Sequence, residues 1–358
     1  MAFDIKGLIK ASGSDYADLA ENGIEAGDIN GFIDSGSYSL NALISGSVYG
    51  GWPIGKVSML AGDPAAGKTF ALLTTCKYFL DSDPENLIVF FESESAISKD
   101  MLTSRGIDTK RMIIMPVTTV QEFRTQAIKI LDHYNETRKK GESKLLMCLD
   151  SLGMLSTTKE MEDTASGSET KDMTRPAIVK SAFRVITLKL GRAQVPMIVT
   201  NHTYDSMDQY APKAIAGGSG VKYAASTIVM LNKRKDKDGK DTIGNNIRAV
   251  VAKSRLTKEF SQAEVLIRYE TGMHRTFGLI DIAEAAGTLK KVGNKYEVVP
   301  WNDGKTYFGV TIDKDPAKFW TKEVLDHLEE RVHDVFGYGA ATEETISEAL
   351  GDDVEDVD

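Results

Sequence analysis

Gly62-Asp63-Pro64-Ala65-Ala66-Gly67-Lys68-Thr69 decides how the rest of the chain is read. The stretch has the form G-x-x-x-x-G-K-[ST] and stands between an apolar run, KVSMLA at 56–61, and an amphipathic segment of helical length at 68–81. Strand, glycine-rich turn and helix in that order make a cradle for phosphate. Glycines let successive backbone N–H groups turn inward, and the helix N-terminus adds its dipole. Lys68 brings a point charge to the β- and γ-phosphates of ATP, and the Thr69 hydroxyl is a hard oxygen suited to Mg²⁺. All eight residues are therefore nucleotide-binding candidates.

Further strands are expected at 87–91, 112–115, 145–149, 196–200, 226–231 and 247–252. Helices are expected at 98–105, 119–140 and 174–192, the last with a proline in its first turn. Buried strands alternating with helices predict an α/β fold, a mostly parallel central sheet with helices on both faces. The last two strands flank KRKDKDGKD (233–241), whose Asp-Gly pair and charges predict a solvent-facing hairpin appended antiparallel. Two long polar stretches, 156–173 and 203–221, fit no element, and loops of such length are functional or disordered. Before the core, residues 1–35 carry only short helical patterns at Phe3–Ile9 and Tyr16–Asn22 and read as an arm. Beyond 275 follow a helix (279–286), a small hairpin (288–311) and a helix (321–335). The expected division is an arm (1–35), a core (36–275), a small C-terminal region (276–342) and an acidic tail (343–358).

With 358 residues, 42% of them hydrophobic, the chain has ample material for a large core, which excludes disorder throughout. Cys76 and Cys148 stand too far apart for a metal-binding spacing and are too few for a disulfide framework, so a reducing compartment is expected. The N-terminus lacks an apolar signal region, and the densest apolar runs, at 87–91 and 145–149, are too short to span a bilayer, so no membrane partner is expected. The net charge is −9, but the last sixteen residues hold eight acids and no Lys or Arg, which leaves the body near −1. A near-neutral body has room for a local basic track and so does not exclude a polyanionic partner. The tail reads either as a solvated end or as a competitor for basic surface.

Three other strand ends bear on phosphate chemistry. The run 145–149 ends in Asp150, suited to orient Mg²⁺ beside the phosphate loop. Strand 87–91 runs into Glu92-Ser93-Glu94, where a carboxylate at a strand tip can activate the attacking water; spacing alone does not choose between the two acids. Thr200-Asn201-His202 ends a fourth strand, and the loop 203–221 follows at once, so His202 is a candidate γ-phosphate sensor. By themselves Lys253 and Arg255 read as ordinary cations at a strand end, and 233–241 as a solvated turn.

These residues resemble the RecA-type recombinases, and within them the UvsX-type branch of T-even-like bacteriophages. The resemblance rests on DSGSYSLNALISGSVYGGWPIGK (34–56), the phosphate loop, FFESESAI (90–97), CLDSLGMLS (148–156), DMTRPAIVKSAFRVIT (172–187), VTNHTY (199–204), GGSGVKYAAS (217–226) and VVAKSRLTKEFSQAEV (250–265), in family order across roughly 34–270. It implies that Glu94 is the water-activating carboxylate, that Thr69 and Asp150 serve Mg²⁺, and that His202 is the sensor at the base of a DNA-binding loop. It also implies that Lys253 and Arg255 reach across a subunit interface to the neighbour's ATP, with Arg255 where the family has lysine. Met101 takes the place of an aromatic ring against adenine. The stretches 156–173 and 203–221 correspond to two DNA-binding loops; Arg175, Lys180 and Arg184, on roughly one helix face, and Lys213, Gly217, Gly218 and Ser219 are the candidate contacts to single-stranded DNA.

The implied activity is that of a DNA-dependent ATPase forming helical filaments on single-stranded DNA and pairing it with homologous duplex DNA. It would act in the cytoplasm of an infected bacterial host, with phage mediator and single-strand-binding proteins as further partners. Rival readings are a ring helicase on the same core, a non-catalytic recombination mediator and a small-molecule kinase. The first needs a sizeable N-terminal domain where only about 35 residues precede the matched core.

Overall fold

Every strand foreseen from the apolar runs is present, and in the phosphate-loop strand the apolar side chains alternate between the two faces of the sheet. The computed structural model describes residues 4–338 except 14–16, 18, 25, 140–141, 168–171, 205–213, 216–218 and 239–240. In the phosphate-loop strand Val57–Gly62, Val57, Met59 and Ala61 join the hydrophobic cluster under helices Val120–Thr137 and Arg175–Ala193. Leu60 points to the opposite cluster, under helices Lys68–Ser82, Tyr38–Ser45, Leu279–Ala285 and Lys322–Phe336. The chain is thus an α/β sandwich with the sheet as its middle layer.

Across the sheet the order is Gly272–Met273, Gln262–Arg268, Asp241–Lys253, Thr227–Asp238, Val57–Gly62, Met197–Tyr204, Leu145–Asp150, Leu87–Glu92, Met112–Pro116. Pairings from Thr227–Asp238 to Met112–Pro116 are parallel, and the first three strands are added antiparallel. Parallel neighbours put their C-terminal ends on one edge. Glu92 is paired with Asp150, Ala61 with Asn201 and Gly62 with His202, so all four chemical strand ends of the sequence meet there.

Some elements depart from expectation. The appended hairpin is longer than foreseen, since its strands continue through Asp238 and from Asp241, and its turn at 239–240 lies outside the described residues. Gln262–Arg268 is a further strand on its far side. Three strands, not two, form the C-terminal sheet, with Thr306–Phe308 pairing Lys295–Val298. Its helices share the core cluster of the phosphate-loop helix, Phe319, Leu328 and Phe336 joining Leu43 and Ile44.

The polar stretch 156–173 is not without structure, as it contains the helix Thr158–Ala165. A capping box starts it: the Thr157 hydroxyl accepts from Glu160 N at 3.1 Å and the Glu160 carboxylate accepts from Thr157 N at 2.8 Å. Thr157 Oγ1 also donates to Asp172 Oδ2 at 2.6 Å, while Thr174 N and Oγ1 donate to Asp172 Oδ1 at 2.8 and 2.6 Å. The Thr157 hydroxyl, then those from Thr174, hold the Asp172 carboxyl down to about 2 from 3.8. A depressed carboxylate stabilises the fold fully above the unfolded value and loses that contribution as pH falls toward the folded one. Its contribution is therefore complete at pH 7 and fades below 3.8 toward about 2. Asp172→Asn at neutral pH is expected to speed amide exchange in 158–165 about tenfold, the loss of roughly one strong hydrogen bond. Unchanged exchange by mass spectrometry would refute the clamp.

Candidate active site

The phosphate loop takes its shape from two glycines. Gly67 sits at φ 92° as the N-cap of helix Lys68–Ser82, and a Cβ there would come within 2.9 Å of Ile247 Cδ1. At Gly62 a Cβ would meet the Leu231 carbonyl oxygen at 2.6 Å, a backbone atom that cannot move aside. No side chain caps that helix, so its first N–H groups face the loop. Lys68 is buried, its ammonium donating to the carbonyls of Gly62 (3.0 Å) and Asp63 (2.9 Å). Burial lowers its pKa, against the opposing pull of Glu94, Asp150 and Asp63. Phosphate oxygens are better partners for this cation than the two carbonyls that now share it.

Asp150, buried at the end of its strand, accepts from the Thr69 hydroxyl at 2.7 Å and from the Thr200 hydroxyl. Burial raises its pKa, and the hydroxyls of Thr200 and Thr69 oppose that rise. Thr69 and Asp150 are a hard-oxygen pair, which fits Mg²⁺. Among the described residues no group of three or more His, Cys, Asp and Glu could hold a metal by itself. Mg²⁺ suits such a sparse site because it keeps water and phosphate as its other ligands.

Glu92 and Glu94 have different surroundings. Glu92 is buried, and its Oε1 accepts from the backbone N–H groups of Glu94 (3.0 Å) and Ala96 (2.9 Å), closing the turn after its strand. Glu94 faces the phosphate loop; its Oε1 accepts from Ser151 Oγ at 2.6 Å and lies 3.0 Å from His202 Nε2. His202 and Thr203 belong to the strand itself, which runs to Tyr204, beyond the expected end at 200. Thr203 Oγ1 donates to Asp63 Oδ1 at 2.7 Å. One strand therefore touches Asp150, Glu94 and the phosphate loop in four consecutive residues, 200–203.

These groups line a cavity of about 510 Å³ formed by Pro64–Thr69, Glu94, Asp150 and His202, with Phe70, Leu73, Met101 and Arg105 as its remaining wall. Residues 19–274 match the model of the RecA N-terminal domain. The chain belongs to the RecA family. The recombination and repair protein of Enterobacteria phage T4 is 32% identical over 267 residues, covering 75% of this chain and 67% of the phage protein. Protein RecA of a Nocardioides strain is 26% identical over 324 residues, 88% of this chain and 86% of that one. Protein RecA of Corynebacterium efficiens is 26% identical over 331 residues, 90% and 79%.

Other candidates lie away from the cavity of this RecA family member. Lys253 is paired with Ile228, whose own partner is Met59, so it lies near the sheet edge opposite Gly62. Its ammonium donates to the carbonyls of Lys222 (2.6 Å) and Ala225 (2.7 Å), and Arg255 is exposed beside it. Burial lowers the Lys253 pKa, and Arg255 lowers it further. Neither cation is placed to serve the phosphate loop of its own chain. Lys180 and Arg184 are exposed on helix Arg175–Ala193, with Lys180 Nζ 5.9 Å from the Tyr223 ring centre. Arg175, expected with Lys180 and Arg184 as a DNA contact on one helix face, has its guanidinium engaged within the chain, donating to Gly153 O at 3.1 Å and Leu155 O at 3.0 Å. Those carbonyls belong to the short turn after Asp150, and the planar guanidinium reaches more than one of them at once. Ser219 opens the helix Ser219–Ala224, which packs so closely on Lys180 that a Cβ at Gly220 would lie 2.7 Å from Lys180 Cα. Lys213, Gly217, Gly218 and the acidic tail lie outside the described residues.

Sequence reasoning misses Lys233, whose ammonium donates to the Ala65 carbonyl at 3.1 Å from the hairpin that reads as a solvated turn. Nothing local signals this contact, since 168 positions separate the two residues. Arg105 and Phe70, which line the same cavity, were not among the expected residues either. No described helix is long and apolar enough to cross a membrane.

Proposed function

We propose that the chain is an ATP-dependent DNA recombinase, which assembles into a filament on single-stranded DNA and exchanges that strand with homologous duplex. One observation carries the reading. Strand Met197–Tyr204 binds Asp150 through Thr200, meets Glu94 through His202 and holds the phosphate loop through Thr203, then leads directly into 205–213, part of the loop assigned to DNA. A ligand that rearranges the Glu94 and Asp63 contacts therefore biases the loop's point of departure, and DNA on the loop biases the nucleotide site by the same linkage. The family and the names of its phage and bacterial relatives, recombination and repair protein and protein RecA, point the same way.

In this reading Lys68 and the loop N–H groups hold the triphosphate. Thr69 and Asp150 would hold Mg²⁺, which when bound neutralises charge on the β- and γ-phosphates. Glu94 takes a proton from the attacking water, and its present partners, Ser151 Oγ and His202, orient the carboxylate. Lys253 and Arg255 act on the ATP of an adjoining copy, since they stand at the edge of the sheet remote from their own phosphate loop. The arm is suited to hold that copy: helix Ile5–Ala11 buries no residue, and Ile5 and Leu8 are half exposed. Lys180, Arg184, Lys213, Gly217, Gly218 and Ser219 are the proposed DNA contacts.

ATP hydrolysis measured with and without single-stranded DNA, with electron microscopy of the same samples, tests the whole. Strong DNA stimulation and nucleotide-dependent filaments are expected; bound nucleotide with neither would overturn the proposal. Arg255→Ala is expected to reduce stimulated hydrolysis about a hundredfold or more. Mixing it with a Lys68→Ala variant should restore part of the activity, because some junctions then combine an intact pocket with an intact neighbouring arginine. A mixture no more active than its parts would argue that Arg255 does not act across the junction.

A further inference from the structure

The wall of the cavity away from the acids raises a separate question of selectivity. Phe70 follows Lys68 by two residues on the phosphate-loop helix, so a nucleotide held at Lys68 reaches it. Arg105 stacks on Phe70, with its guanidinium carbon 5.0 Å from the ring centre. One bond fixes the guanidinium, from Nη1 to the Met101 carbonyl at 3.0 Å. Its Nε is buried and, among the described residues, has no hydrogen-bond partner. Leaving such a donor unpaired is unfavourable, the more so on a charged group, and the guanidinium gains by turning toward an acceptor on a ligand. Arg105 also lines the adjoining cavity of about 510 Å³, which shares Phe70 and Leu73 with the first and includes Tyr78, Thr271 and Met273. It therefore stands on the wall between two open volumes beside the phosphate site.

We propose that Arg105 selects the nucleobase and admits guanine nucleotides beside adenine nucleotides. The inference rests on the nucleotide reading above and extends it to the base. Phe70, Leu73 and the flexible thioether of Met101 give the apolar surface a purine ring needs. A guanidinium has donors only. Guanine presents two adjacent acceptors, N7 and O6, whereas adenine presents the N7 acceptor beside an amino donor. A planar, donor-only fork therefore matches guanine at two atoms and adenine at one, and a pocket so built does not exclude guanine.

The test titrates ADP and GDP, each with Mg²⁺, into the full chain and into Arg105→Met and Arg105→Lys variants by calorimetry, with thermal unfolding as the check on folding. In the unaltered protein GDP should bind within about tenfold of ADP, and Arg105→Met should weaken GDP relative to ADP about tenfold or more. Arg105→Lys keeps the charge without the fork and should lose the same preference; it decides the matter should the methionine variant fail to fold. GDP bound more than about a hundredfold more weakly than ADP, or a ratio unmoved by both variants while ADP still binds, would overturn the proposal. Failure of the unaltered protein to bind either nucleotide would instead defeat the nucleotide reading, and the proposal with it.

Discussion

Lys68→Ala is expected to weaken nucleotide binding severely and, in the variant by itself, filament assembly and hydrolysis with it. The lysine is buried at the start of its helix and, among the described residues, its hydrogen-bond partners are two loop carbonyls. Its charge is thus held, at the expense of desolvation, where an anion would compensate it, and its pKa is depressed by burial first. Removing one partner of a buried, hydrogen-bonded charge pair costs about 2–5 kcal/mol, so nucleotide affinity should fall about thirtyfold to several thousandfold. Calorimetric titration with ADP measures this directly. Because alanine is tolerated in helices, thermal stability without nucleotide should hold or rise, the unpaired buried charge being gone. Unchanged affinity would mean that the phosphate loop is not the nucleotide site.

Glu94→Gln should leave nucleotide and DNA binding in place and slow hydrolysis about 10²–10⁴-fold, the usual worth of a general base. Glutamine keeps the shape and still offers an oxygen to Ser151 Oγ, but it cannot accept a proton from water. Filaments formed with ATP should therefore persist instead of dissolving. The matched control is Glu92→Gln. Glu92 Oε1 closes the turn at Glu94 and Ala96, so its loss should lower the unfolding temperature with a smaller effect on turnover. Rapid hydrolysis by Glu94→Gln together with a dead Glu92→Gln would exchange the two roles.

The contrast between these two acids shows how far sequence reading reaches. Both follow the same apolar run, two residues apart, and their spacing permits either to activate water. Burial and two backbone amides commit Glu92 to its turn, while Ser151, just past the end of one strand, and His202, on another, gather round Glu94. The helix Thr158–Ala165 was legible in principle, because Thr157 and Glu160 have capping-box spacing, but polar composition concealed it. Lys233 was not legible, since its partners in the phosphate loop depend on the register between Thr227–Asp238 and Val57–Gly62.

Alone, the amino-acid order settled the phosphate loop, the alternation of strands and helices and the edge where strand-end acids collect. These are matters of local hydrogen bonding and of burial repeating every two or 3.6 residues. Tertiary structure decided which carboxylate meets His202, that Arg175 turns inward, that Lys253 and Arg255 stand remote from their own phosphate loop and that Arg105 lies on Phe70. Such pairs join separate elements, and their distances are set by strand register and helix packing, which no short window of residues encodes.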